Sequence, residues 1–405
     1  MLLRGVVRAG EVERVGLRCV RARGDVLDEL AGRQREYEEQ SVHGGIMECG
    51  GNASAFQFAR DTKAAALPPH STAILARVQF MATNPLFEPR LARAATPPRI
   101  VPGWYIVCAS RELRRGEIRR FELGDEPIVL FRGRDTGVVT ALPAHCLHQG
   151  VDLVHGVVAG DCLRCPLHHW EYSDHCLKVP GSAPRNLRSR YHAAERFGMI
   201  FLYTGTEPAY PIPSFSVDDD AIYFRAGKPV EIDCPWYVPI ANAFDMTHLR
   251  TVHRRELRRT PSIAFPDPIT FTCNYTTAVI GNAWSDHAMR LLSGNDIHVD
   301  ITSSAGTILM VESHIRHRRG FLFVSLRPTR TGVSILPIFG VPRSRLGTHL
   351  IQGRVSAALF AAFLYRDLEA LRGIRFPPGF LDNTDETINA CYRYLCNLPK
   401  YEEMS

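Results

Sequence analysis

The stretch "CLHQGVDLVHGVVAGDCLRCPLHHWEY", residues 146–172, constrains the fold of this chain more than any other. It carries two cysteine–histidine pairs, Cys146-x-His148 and Cys165-x-x-His168, with sixteen residues between them. A thiolate beside an imidazole is a metal-binding donor set. Two loops that each offer one of each donor must fold towards one another around a metal. The chain has 11 cysteines, an odd number spread along its length, so free thiols and metal ligands are expected rather than disulfides.

Two metals compete on this donor set. Structural zinc usually takes both cysteines from one close knuckle and both histidines from one helix. Mixed delivery, one Cys and one His per loop, suits a [2Fe–2S] centre of the Rieske kind, in which two Cys hold one iron and two His the other. Cys162-x-x-Cys165 is also a knuckle spacing, and His145, His155 and His169 are spare imidazoles nearby. These are read as loop residues, with Asp161-Cys162 in a strand leading to the second loop.

The surroundings of the motif read as antiparallel β structure. Short apolar runs, "WYIVCAS", "PIVLFRG" and "TGVVTAL", alternate with Gly, Asp and Arg turns before it, and "FGMIFLYTG" follows it. Pro-rich "EPAYPIPSF" (207–215) reads as a boundary. Beyond it, "WYVPIANAFDMTHLRTVHRREL" is expected to begin extended and turn helical. "GTILMVES", "GFLFVSLRP" and "GVSILPIFGVP" (306–342) read as sheet strands, followed by a long helix over 350–373 and a shorter one near 384–396. The expected class is α+β, with a β-rich metal domain over 99–206 and a sheet-plus-helix domain over 207–405. Residues 1–98 hold one candidate helix, "DVLDELAGRQREYEEQ", then Gly-, Ala- and Pro-rich sequence, and read as an appendage of unknown role.

Cys146-x-His148-x16-Cys165-x-x-His168, followed by Trp170, resembles the Rieske signature of the Rieske non-haem iron oxygenases. The family usually has Pro where this chain has Leu147, and Gly where it has His169. Both positions neighbour ligands and are not ligands. Downstream, Asn242-x-x-Asp245-x-x-His248-x4-His253 is similar to the family's catalytic-iron motif. The resemblance implies that His248 and His253 bind a mononuclear Fe(II). It also implies that Asp245, with Asn242 in the same motif, links that iron to a Rieske histidine across a subunit boundary. It further implies an antiparallel Rieske domain, a helix-grip catalytic domain, a homotrimer, and electrons from a separate NAD(P)H reductase, directly or through a ferredoxin. No Gly-rich dinucleotide fingerprint occurs in the chain, as a separate reductase requires.

Helix geometry tests this second site. Asp245 and His248 are three residues apart and share a face. His248 and His253 are five apart, about 140° around a regular helix, so both reach one ion only if the helix is distorted or ends between them. The third ligand has no tight motif. Asp367 is flanked at i−4, i−3, i+3 and i+4 by Phe363, Leu364, Ala370 and Leu371, which places a carboxylate on an apolar stripe. A bare buried carboxylate costs several kcal/mol, and a metal offsets that. Glu369 falls on a solvated face, and Asp382, Asp385 and Glu386 read as charges at a helix start.

The remaining features narrow the function. Net charge is +6 but without a basic run, which gives no support to nucleic-acid binding. No apolar run reaches transmembrane length, and the N-terminus reads as neither secretory signal nor transit peptide, so a cytoplasmic location is expected. Trp284, Met289, Leu291, Met310, Phe321, Phe323 and Phe339 are candidates to line a pocket for a small hydrophobic substrate. An O2-using hydroxylase or demethylase is the reading these features favour. Its rivals are a non-catalytic Rieske electron carrier with a degenerate second domain and a zinc-stabilised binding protein.

Overall fold

Every apolar run read as a strand from the sequence is one, and because several of those runs are apolar on both faces their strands must be covered on both sides. The structure, a computed structural model, describes residues 96–205, 207–294, 296–316, 318–374 and 386–400. The candidate helix over 25–40 and the residues Asp382 and Asp385 lie outside the described residues.

The first part is built from three antiparallel sheets. One joins β1 (Trp104–Ala109), β11 (Met199–Thr204) and β10 (Tyr191–Arg196) in that order. A second joins β2 (Ile118–Leu123), β3 (Glu126–Arg132) and β4 (Val139–Pro143). The third runs β5 (Val157–Ala159), β6 (Cys162–Arg164), β7 (Glu171–Tyr172), β8 (Cys176–Lys178) and β9 (Arg185–Asn186). Cys162 is thus in a strand, as expected.

The second part is a nine-stranded antiparallel sheet. Its main path is β12 (Ile222–Ala226), β20 (Val333–Pro342), β19 (Arg318–Pro328), β18 (Ile308–Ile315), β17 (Asp296–Ser304), β16 (Thr270–Val279) and β14 (Arg255–Leu257). β13 (Val230–Ile232) pairs with β20, and β15 (Ser262–Asp267) with β16. The described helices are α1 (Val238–Ala243), α2 (Met246–Thr251), α3 (Trp284–Ser293), α4 (His349–Leu371) and α5 (Glu386–Cys396). The α+β class is therefore correct. One local expectation is not: Trp236 and Tyr237 form a turn, with Tyr237 capping α1 in right-handed helical angles, so "WYVPIANAF" does not begin extended.

Successive side chains of a strand point to opposite faces, and here both faces are covered. In β3, Val129 and Phe131 turn to the core under the Cys/His loops, whereas Ile128 and Leu130 meet Ile200 and Leu202 of β11. In β11, Phe201 and Tyr203 turn the other way, onto Met310, Phe321 and Phe323 of the large sheet. The opposite face of that sheet carries Leu309, Leu322, Leu326 and Phe339, which pack under the helices. The described residues form a stack: Cys/His loops, β2–β4 sheet, β1–β11–β10 sheet, nine-stranded sheet, helices. Layers pack about 10 Å apart, so the two ends of the stack are on the order of 30–40 Å apart.

Candidate metal centres and their cavity

At one end of the stack, the two loops bring Cys146 and Cys165 into a shared apolar core, 4% and 1% exposed, while His148 and His168 stay at the surface. The imidazole rings lie with centroids 4.6 Å apart, and Trp170 stacks on His148 at 4.7 Å with the planes 5° apart. Both cysteines are free thiols. The Tyr172 hydroxyl lies 3.0 Å from Cys146 Sγ and accepts the Leu147 N–H at 3.1 Å. Burial pushes the Cys146 thiol up. Hydrogen bonds from Tyr172 and from the backbone N–H groups of His148 and Gln149, with the neighbouring Cys165, outweigh burial and hold it below its ordinary value. A thiol so biased is ready to ligate as thiolate. His169, where the family usually has Gly, has φ of 59°, a left-handed conformation that glycine adopts without cost.

At the other end, Asp245 caps α2: its Oδ1 accepts the His248 N–H at 2.8 Å. That cap fixes where the helix starts, and so the direction His248 takes. α2 ends at Thr251, before His253, so the helix does stop between the two histidines as the five-residue spacing requires. The Nε2 atoms of His248 and His253 are 3.1 Å apart, and each lies 2.7 Å from Asp367 Oδ1. Asn242 Nδ2 donates to the same oxygen at 3.2 Å. Among the described residues, these two histidines and Asp367 are the one group of metal-ligating side chains whose donor atoms all lie within 4.8 Å of one another.

Asp367 is 9% exposed, facing inward from α4 beside buried Leu371; Ala370 is exposed, so the apolar stripe is narrower than its spacing suggested. Glu369 is exposed, as expected. Burial pushes the Asp367 carboxyl up, but the two imidazoles overcome it and hold it below its ordinary value. Burial pushes His253 down, against the pull of Asp367, which favours a neutral ring. An anionic carboxylate facing a neutral His253 ring is the protonation state a metal requires of these two groups.

Sequence reasoning missed the supports of this triad. Phe363, one turn before Asp367, stacks on the His253 ring at 3.5 Å with the planes 4° apart. Arg255 donates to the His253 carbonyl at 3.0 Å and to Asp286 Oδ1 at 2.9 Å, and Arg366 lies 3.6 Å from the other oxygen of Asp286. The i−4 spacing of Phe363 from Asp367 was a usable signal. The Arg255–Asp286 pair, 31 residues apart in sequence, left none.

The triad opens on a cavity of about 720 Å³ between α4 and the large sheet. Its lining is mainly aliphatic and aromatic. Of the pocket candidates, Met289, Phe321 and Phe339 touch it. Trp284 and Leu291 are 68% and 80% exposed, and Met310 and Phe323 pack in the core beneath the other face of the sheet. No helix among the described residues is long and apolar enough to cross a membrane; this does not bear on spanning by strands.

Comparison with known proteins bears on the Cys/His end of the stack and on the fold as a whole. Residues 103–192 match the Rieske [2Fe-2S] domain family. Aminopyrrolnitrin oxygenase PrnD of Pseudomonas fluorescens is 28% identical over 170 residues, 38% of this chain and 46% of that protein. The oxygenase component of dicamba O-demethylase from Stenotrophomonas maltophilia is 32% identical over 161 residues, 37% of this chain and 47% of that one. The match thus spans less than half the length of these relatives. The crystal structure of dicamba monooxygenase bound to dicamba superposes with a TM-score of 0.51 at 19% identity, over 74% of this chain and 97% of that one, a likeness of fold. Residues 103–192 are therefore a Rieske [2Fe-2S] domain, in a chain that is similar to oxygenase components over part of their length and shares the fold of one of them.

Proposed function

We propose that the chain uses O2 and electrons from a separate NAD(P)H-dependent reductase, directly or through a ferredoxin, to hydroxylate or oxidatively demethylate a small hydrophobic organic molecule. One observation carries the reading: three convergent ligands, His248, His253 and Asp367, stand in the wall of an apolar cavity. The names of the relatives, an oxygenase and an O-demethylase, support the reaction class. The proposal includes residues 99–206 as the Rieske domain, 207–405 as the catalytic domain, and a cytoplasmic location.

The residues fit the groups they would hold. Two buried thiols beside two surface imidazoles match the two-Cys, two-His demand of a Rieske cluster. Two imidazoles aimed at one carboxylate oxygen match a facial triad, with open positions on one side. Bound there, a [2Fe–2S] cluster supplies single electrons and a mononuclear iron supplies O2 activation.

The remaining roles belong to the protein. Asn242 holds the Asp367 carboxylate by one hydrogen bond, Phe363 holds the plane of His253, and the aliphatic walls exclude water from the substrate. The stack separates the two centres of one chain by on the order of 30–40 Å, too far for direct transfer. In this proposal electrons therefore pass between neighbouring subunits of a homotrimer, through Asp245.

Metal analysis and EPR of the reduced protein test the proposal. An oxygenase holds about three irons per chain with acid-labile sulfide, an electron carrier about two. Asp367→Ala is expected to lose the mononuclear iron, keep the cluster and lose O2 consumption. Retention of the third iron and of activity by that variant refutes the ligand.

A further inference from the structure

The cavity is far longer than the triad needs. α4 lines it from Ile351 to Leu371. Asp367 lies sixteen residues beyond Ile351, about 24 Å at 1.5 Å per residue, but only one turn from Leu371. β19 gives a second ruler: Arg318 and Leu326, which both line the cavity, are eight residues apart, about 27 Å of extended chain. The Leu371 end is closed, with Leu371 4%, Leu326 0% and Ile335 2% exposed. The other end is open, with Ile351 68% and Val355 49% exposed.

Between its ends the groove is walled mainly by hydrocarbon, with Phe339, Leu359 and Phe360 inside and Ile351 and Val355 at the open end, where Ser313, Gln352 and Ser356 join them. Arg318 stands exposed at that end. Its guanidinium has no salt bridge or side-chain hydrogen bond among the described residues, whereas neighbouring Arg319 is held by Glu312. A cation without a partner at the mouth of an apolar groove favours an anionic end group there.

We propose that the substrate of this site is an elongated, mainly hydrocarbon molecule with an anionic group at one end. It lies along α4 with its hydrocarbon end at the triad and its anionic end at Arg318. This rests on the oxygenase reading for what happens at the triad, but not for binding.

Calorimetric titration of the full-length holoprotein tests it, with straight-chain monocarboxylates of about eight to sixteen carbons below their micellar concentrations. Alcohols of the same lengths and benzoate, a compact acid, serve as controls. Affinity is expected to rise about four-fold per methylene as hydrocarbon is buried. Arg318→Ala weakens the acids about ten-fold and leaves the alcohols unchanged. Ser356→Trp, eleven residues from Asp367 on α4, fills the outer half of the groove and abolishes the gain from length. Gln352→Trp, at an exposed position, gives the same test if that variant does not fold. Flat length dependence, benzoate binding as tightly as the longest acid, or a tryptophan variant with wild-type affinities overturns the proposal. Binding is read without turnover, so a protein that binds long acids but never consumes O2 sinks the oxygenase reading alone.

Discussion

Asp286→Ala is expected to be the most damaging single change outside the metal ligands. Asp286 and Arg255 are 1% and 7% exposed, and their charges meet at 2.9 Å. Removing one partner of a buried ion pair leaves the other charge without compensation and costs about 3–5 kcal/mol. Arg255 keeps its bond to the His253 carbonyl, which offsets part of this. Asp286 also accepts the Ala283 N–H at 3.1 Å at the start of α3, which adds to the loss. The net expectation is about 3 kcal/mol, read as a lowered urea midpoint for the part that holds the nine-stranded sheet. Because Arg255 holds the backbone of His253, affinity for mononuclear iron falls with it. The double variant Arg255→Met/Asp286→Leu is expected to recover most of the stability, since apolar replacement of a buried pair is often neutral or stabilising. An Asp286→Ala protein within 1 kcal/mol of wild type would show that this pair does not anchor the site.

The same carboxylate gives a pH dependence. Burial pushes Asp286 up, but the Arg255 hydrogen bond and charge, the Ala283 N–H and Arg366 hold it below its ordinary value of 3.8. A carboxyl depressed in the folded state stabilises above its unfolded value and loses that contribution as pH falls through the folded value. Wild-type and Asp286→Asn stability curves therefore differ at neutral pH and converge below about 3.8.

Phe363→Ala removes the ring stacked on His253 and is expected to weaken iron binding about 10–100-fold while sparing the Rieske cluster; unchanged metal affinity counts against a positioning role. Asp245→Asn retains a good helix cap, whereas Asp245→Ala costs about 1 kcal/mol. Both are expected to lose turnover with both metals in place, and normal turnover in the Asn variant removes Asp245 from the electron path. His169→Gly relieves a left-handed residue, a cost of about 1–2 kcal/mol, against an added chain entropy of about 0.5–1 kcal/mol. A small rise in melting temperature is expected, and a clear fall contradicts the strain.

Much of this molecule was legible in its sequence because its signals are local. A short apolar run between turn residues specifies a strand, so β1, β3, β4, β11, β18, β19 and β20 could be read directly. The five-residue gap from His248 to His253 demanded a distortion or an end of α2, and it ends; Asp245, read as sharing a helix face with His248, stands instead just outside the helix as its cap. Trp284 and Leu291 misled because an apolar residue does not by itself reveal which face of its helix is covered. Phe363 had a local signal in its i−4 spacing from Asp367, but the Arg255–Asp286–Arg366 cluster was invisible because its meaning lies in contacts between distant elements.

By itself, then, the sequence determined the donor atoms and their local aim, because ligand type, spacing and helix period act within a dozen residues. Only the tertiary structure decided what those donors face. Packing α4 along the nine-stranded sheet set Asp367 opposite His248 and His253 and left a long groove open at Arg318. Stacking three sheets between the two centres set their separation. Both follow from layers closing over apolar faces, which no stretch of chain can accomplish alone.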